Sequence, residues 1–267
     1  MPQHRFLLGD AEKALSTLPD NAVQLVVTSP PYGTLKDYGF AGQIGYGETY
    51  DVYLNRLHAV WTECVRVLSP GCRVAINVGD QFLSANADGN GKPYQIVPIH
   101  ADIITQFRYY PEMTYLGGII WRKITTTNTS GGGSWMGSTY WPRDGHVTYE
   151  HEYILLFKKK GKAPRPSTEA REQSRLTKEQ RSLWCRGVWD DVAPVRQGVH
   201  PAMFPVELPD RLIRMFTFVG ETVLDPFVGS GTTLEAAQRA GRWGIGIDND
   251  PKCAELCASR IVGLEAT

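Results

Sequence analysis

Long apolar runs are scarce in this 267-residue chain: the longest, such as Val23 to Val27 and Ile154 to Phe157, fall far short of the roughly 20 residues a membrane helix needs. Met1 to Leu8 carries no secretory h-region. A cytoplasmic protein with no membrane partner is expected. Cysteine is scarce as well. Cys64, Cys72, Cys185, Cys253 and Cys257 are odd in number and scattered, with no pair at zinc-knuckle spacing. Buried reduced thiols and no metal are expected, Cys253 and Cys257 sharing one face of a helix. Net charge is lacking too, with 28 basic against 28 acidic side chains, so the overall balance announces no polyanionic partner. At 42% hydrophobic and 21% charged residues, disordered and fibrous readings drop out. A globular protein of one large or two small domains is left.

The neutral total conceals an uneven distribution. Trp121 to Arg186 holds 13 Lys and Arg against 6 Asp and Glu, leaving 15 against 22 elsewhere. Lys158-Lys159-Lys160 and the following 161–166 fit a solvated hinge. A phosphate-binding surface is the sharper reading, since cations grouped with Trp135, Tyr140 and Trp141 offer charge and stacking planes together. Composition leaves both open.

Strand-like runs rich in β-branched residues recur at Phe6 to Leu8, Val23 to Thr28, Arg73 to Val78, Tyr115 to Trp121, Glu152 to Phe157, Thr222 to Leu224 and Trp243 to Ile247. Helical spacing fills Tyr50 to Leu68, Ile96 to Phe107, Val206 to Phe218, Thr232 to Ala240 and Pro251 to Val262. Alternating strands and helices predict an α/β doubly wound fold, a mostly parallel sheet covered on both faces. Thr125 to Thr139 and Gly161 to Arg186 break the alternation and are too long for ordinary connections, so each is expected to be a functional loop or small insert.

Two motifs carry chemistry. Asp225-Pro226-Phe227-Val228-Gly229-Ser230-Gly231-Thr232-Thr233 lies between a strand and a helix. Its glycines let the backbone turn tightly and bring N–H groups and a helix N-terminus close to a ligand. Asp248, 17 residues beyond Gly231 and at the end of the next strand, suits a carboxylate that bonds ribose hydroxyls. No Gly-Lys-Ser/Thr is present to neutralise a triphosphate, so the ligand should be a nucleoside without a polyphosphate. The second motif, Thr28-Ser29-Pro30-Pro31-Tyr32, follows a strand directly. Two prolines fix φ and remove two donors, which leaves rigid carbonyl acceptors. With Ser29 and the Tyr32 ring they would receive a flat group bearing an amine.

Together these segments resemble the amino-methyltransferases that act on exocyclic nitrogens of DNA bases with S-adenosylmethionine. Thr28 to Tyr32 resembles the family's catalytic motif, with Ser29, Pro30, Pro31 and Tyr32 as its residues. Asp225 to Thr233 resembles the cofactor loop, and the run from His200 and Pro201 to Phe204 and Pro205 resembles the segment that helps hold the methionine end. Gly9-Asp10-Ala11 is similar to the motif whose acid contacts the adenine, and His151 to Lys158 to the strand beneath the target base. The resemblance implies cofactor contacts from Asp10, His200, Pro201, Phe204, Pro205, Asp225, Phe227, Gly229, Ser230, Gly231, Thr232, Thr233 and Asp248, and no metal. Catalytic motif first and cofactor loop last is the order of the β class, a circular permutation of a Rossmann-like methyltransferase sheet. It divides the chain into a catalytic half (1–121), a target-recognition insert (122–199, with a core strand at about 152–158) and a cofactor half (200–267).

In that setting Arg122, Lys123, Arg143 and Arg186 are candidates for DNA phosphates or grooves, and Trp135, Tyr140 and Trp141 for filling the stack a flipped base vacates. Attack on cytosine carbon-5 would need a Pro-Cys nucleophile, and none of the five cysteines follows a proline. In the family, Ser at the position of Ser29 usually accompanies cytosine and Asp adenine. The expected activity is therefore N4-cytosine methylation of duplex DNA in a restriction-modification system with a partner endonuclease. N6-adenine is the alternative, and an RNA or protein amine a more distant one. Monomer or dimer is left open.

Overall fold

The computed structural model describes residues 3–31, 43–83, 95–123, 150–194 and 204–267. Nine strands form the main sheet: β1 (His4–Leu8), β2 (Val23–Thr28), β3 (Leu68–Val78), β6 (Met113–Arg122), β7 (His151–Lys159), β8 (Val188–Trp189), β9 (Thr222–Asp225), β10 (Trp243–Asp248) and β11 (Leu264–Ala266). Their order is β11-β1-β10-β9-β2-β3-β7-β6-β8, and β4 (Gln81–Leu83) pairs separately with β5 (Gln95–Val97). β7 runs antiparallel to both β3 and β6, whereas every other neighbouring pair in the main sheet is parallel. The ends of β1, β10, β9, β2, β3 and β6 and the start of β7 therefore share one edge, here called the carboxyl edge.

Helices cover both faces, as alternating burial demands. On β2, Val26 points into one core layer while Leu25 and Val27 point into the other. The first layer packs α1 (Ala11–Ser16), α2 (Tyr50–Val67) and α3 (Ile99–Phe107) through Leu15, Leu57, Val60, Trp61, Ile103 and Phe107. The second packs α6 (Glu207–Phe216) and α7 (Thr232–Arg239) through Leu208, Leu212, Ala236 and Ala237. α8 (Pro251–Arg260) closes a smaller cluster with Cys253 and Cys257 on one face. Cys185 departs from the expected buried thiols and is exposed.

Two boundaries shift. Ile96, placed in a helix by its spacing, lies in β5, and α3 starts after Pro98, a residue that disfavours helix for the one before it. The polar 161–186 stretch folds into two short helices, α4 (Thr168–Gln173) and α5 (Lys178–Trp184), each started by a side-chain cap, Ser167 and Thr177. α4 lies away from the carboxyl edge, whereas the end of α5 lies beside Trp189, opposite Trp121 of β6. β7 descends from the carboxyl edge, so the residues after Lys159 emerge at the opposite, amino edge: Gly161 lies against Pro70 and Ser174 bonds the N–H of Val219. Lys159 points inward, donating to the Val65 and Leu68 carbonyls at 2.7 Å each and so capping the end of α2. Thr125 to Thr139 lies outside the described residues. No helix among them is long and apolar enough to cross a membrane.

Candidate active site at the carboxyl edge

β9 and β2 are neighbours, and the two sequence motifs are the turns that leave their carboxyl ends. They touch. Thr28 Oγ1 donates to Asp225 Oδ1 at 2.6 Å, Thr233 Oγ1 donates to Asp225 Oδ2 at 2.6 Å, and the Phe227 N–H donates to Oδ1 at 3.1 Å. Asp225 is 1% exposed. Burial pushes its pKa up to about 6, against the pull of these donors. Both oxygens are thus used inside the protein. Asp225 and Thr233, expected to touch a cofactor, also clasp the two turns together. Sequence reading missed this because the partners lie 197 residues apart, although a Thr beside each turn was visible.

The glycine turn has the predicted shape. Gly229 and Gly231 have φ of 49° and 86°, left-handed values that favour glycine. Val228 reaches β10 through Ile247, and the Gly229 N–H donates to Asp248 Oδ2 at 3.0 Å. α7 starts at Gly231 with no side-chain cap, so its first N–H groups lack intrahelical partners. Ser230 and Thr232 are buried with their hydroxyls 3.5 Å apart. Phe227 is half-buried and meets Trp61 edge-on, its ring anchoring the turn to the core. Asp248 ends β10, opposite Leu8 of β1, and its other oxygen accepts from the Asp250 N–H. Asp10 lies just beyond, caps α1 and pairs with Arg56 at 3.3 Å. The edge from β1 to β9 thus offers two partly exposed carboxylates and open helix N–H groups, and no Lys or Arg lies between Asp225 and Leu234. That donor and acceptor set fits a nucleoside bearing no polyphosphate.

On the β2 side, Ser29 is half-buried and Pro30 buried. The Pro31 carbonyl, expected to be a free acceptor, receives the Tyr53 hydroxyl at 2.9 Å, which pins the turn to α2. No hydrogen bond to the Ser29 hydroxyl or the Pro30 carbonyl is found among the described residues, so these two are the acceptors the turn presents. Tyr32 lies outside the described residues, as do Trp135, Tyr140, Trp141, Arg143, His200 and Pro201. Phe204 packs on the α6 layer, and the Pro205 carbonyl accepts from Leu208 at the start of that helix.

The described DNA candidates are already paired: Arg122 with Glu150 at 3.2 Å, Arg186 with Asp190 at 3.5 Å and Lys123 with Glu152 at 2.5 Å. The first two are exposed pairs, worth little and easily exchanged. Lys123, itself partly exposed, points to a buried carboxylate. Asp191 grips Arg211 through both oxygens. Among the described residues no group of three or more His, Cys, Asp or Glu could hold a metal ion.

The chain's relatives agree with this geometry. A model of the DNA methylase family matches residues 23–259. The type II methyltransferase M.MjaI of Methanocaldococcus jannaschii is 33% identical over 97% of this chain and 91% of its own length. A DNA modification methylase from Thermus thermophilus, so assigned and solved with S-adenosyl-L-methionine, superposes with a TM-score of 0.78 at 39% identity, covering 99% of each chain. The cytosine-N4-specific PvuII DNA methyltransferase shares the fold at 18% identity, with a TM-score of 0.68 over 98% of this chain and 88% of that one. This chain belongs to the N6/N4 DNA methylase family.

Proposed function

We propose that this protein transfers a methyl group from S-adenosylmethionine to the exocyclic N4 of a cytosine flipped out of duplex DNA, as the methyltransferase of a restriction-modification pair. The observation that carries the reading is the 2.6 Å bond from Thr28 to Asp225, which joins a turn suited to a nucleoside to a turn suited to an aromatic amine. Asp248 would hold the ribose hydroxyls, Asp10 the adenine, the glycine turn and the α7 N–H groups the middle of the molecule. His200, Pro201, Phe204 and Pro205 would hold the methionine end. The solved Thermus relative, which carries S-adenosylmethionine, supports this.

When bound, the sulfonium supplies an electrophilic methyl, so the protein need only place a nitrogen in line with it. Positioning of that kind is worth about 7 to 11 kcal/mol. Ser29 and the Pro30 carbonyl accept the amine hydrogens, favour a pyramidal nitrogen and stabilise the charge that develops on it. Pro31, fixed by Tyr53, keeps the acceptors rigid, and Tyr32 stacks on the base. The proton leaves to water. Flipping costs a few kcal/mol, supplied by the 122–199 segment. The chain leaves the sheet after Arg122 and rejoins it at His151, both at the carboxyl edge, and Trp135, Tyr140, Trp141 and Arg143 of the intervening sequence would meet the DNA. Arg122 and Arg186 can exchange their carboxylates for phosphates there. Ser rather than Asp at position 29 supports cytosine over adenine.

Digesting methylated duplex DNA to nucleosides and weighing them tests the reading. N4-methyldeoxycytidine is expected, and N6-methyldeoxyadenosine would overturn the choice of base. Ser29→Ala should keep cofactor affinity while turnover falls about 10²-fold.

A further inference from the structure

Beside Ser29 the strands carry a polar row, buried at Asn77 and Glu152, that the methyl-transfer chemistry above does not use. Lys123 Nζ donates to Glu152 Oε1 at 2.5 Å, Asn77 Nδ2 donates to Glu152 Oε2 at 2.7 Å, and Asn77 Oδ1 has no partner although Asn77 is 3% exposed. The carboxylate opposite it fixes which end of the amide is nitrogen. Leaving a buried carbonyl oxygen unpaired is costly, and such an atom in a folded site calls for a donor.

The sheet register says where that donor is. β2 and β3 pair Val27 with Ala75 and Thr28 with Ile76, so the next pair is Ser29 with Asn77. Val27 and Ala75 both face the α6–α7 layer, and the two-residue period carries Ser29 and Asn77 to the same face. Ile154 and Trp121 face it as well, which places Glu152 and Lys123 there. Four adjacent strands thus end in one polar row, Ser29, Asn77, Glu152, Lys123, neighbouring strands being about 4.8 Å apart. With its nitrogen turned to β7, the Asn77 amide turns its oxygen the other way, toward β2.

We propose that Asn77 is a positioning residue: its Oδ1 takes the hydrogen bond of the Ser29 hydroxyl, so that the lone pairs of that hydroxyl face the substrate amine, and Glu152 with Lys123 holds the amide in that orientation. A serine hydroxyl has one proton and two acceptor sites. It serves as an acceptor for an amine only when its own proton is committed elsewhere, and an amide oxygen, which cannot donate, enforces this. The proposal rests on Ser29 being the amine's acceptor.

A double-mutant cycle separates the two. Asn77→Ala should lower kcat tenfold or more with affinity for S-adenosylhomocysteine unchanged, and should cost nothing further in a Ser29→Ala background. Equal losses in both backgrounds, or no loss in either, would overturn the role of Asn77. Wild-type kcat in Ser29→Ala alone would instead remove the reading of Ser29. If Asn77→Ala does not fold, Glu152→Gln reads the same row from its other end. It keeps an acceptor for Asn77 but frees Lys123, and a smaller kcat loss confined to the Ser29 background is expected. A loss independent of Ser29 would again refute the proposal.

Discussion

Replacing Asp225 by Asn separates the stability of the clasp from its function. An acid whose pKa stands at about 6 in the fold, against an ordinary 3.8, binds its proton more tightly folded than unfolded. The sign follows: stability falls as pH rises from about 4 to about 6, and above that the ionised carboxylate carries a constant penalty of about 3 kcal/mol. Asn removes the penalty. It also keeps one oxygen for one threonine, while the other threonine must turn to accept from the new amide. That penalty is already net of the charge-assisted bonds, so Asn, keeping neutral ones of about 1 kcal/mol each, should raise the melting temperature at pH 8 by several degrees. Turnover should not be spared. The turned threonine shifts the two motifs relative to each other, and a misplacement on the order of 1 Å costs about 10²-fold in rate. Single-turnover methyl transfer measured across pH checks both halves. The wild type should lose rate below about pH 6 as the clasp protonates, and Asp225→Asn should be slow at every pH with that limb gone. A folded Asp225→Asn protein with wild-type rate and profile would refute the idea that this carboxylate aligns the turns.

Asp248→Ala should weaken S-adenosylhomocysteine binding by calorimetry and leave DNA affinity largely intact; unchanged cofactor affinity would count against a ribose role. Gly231→Ala must bear a left-handed φ of 86° and a Cβ 2.8 Å from Cys257 Sγ, so it should cost roughly 2 kcal/mol or more in denaturant unfolding. Lys159→Met should cost about 1 to 3 kcal/mol of stability, since it leaves the buried end of α2 without its donor, with kcat unchanged. Reversing Arg171 and Arg175 to Glu, at the amino edge, should leave DNA affinity within about twofold in filter binding at fixed salt; a large loss would return that surface to the DNA interface.

The sheet was legible because its strands are buried on both sides. Val23–Thr28 reads as a run of apolar and β-branched residues broken only at Gln24 and is β2 at both ends, and Thr232 opens α7 where the glycine turn stops. Elements held by tertiary contact rather than pattern were not: α1 has only two buried positions, and β8 spans two residues held by pairing to Ile120 and Trp121. Charge counting found the basic segment but carried no direction, and only the reversed course of β7 puts α4 at the amino edge. Asn77 read as one polar residue in an apolar strand. Its place beside Ser29 appears only with the register of β2 on β3.

The most direct test of a shared cleft is the structure of the protein with S-adenosylhomocysteine and a duplex containing its target. The account predicts the extruded cytosine between Ser29 and Pro30, its N4 facing the sulfur across the space of one methyl group, with Asp225 still bridging Thr28 and Thr233. A cofactor bound at the amino edge, or a base seated away from the turn at Ser29, would contradict it.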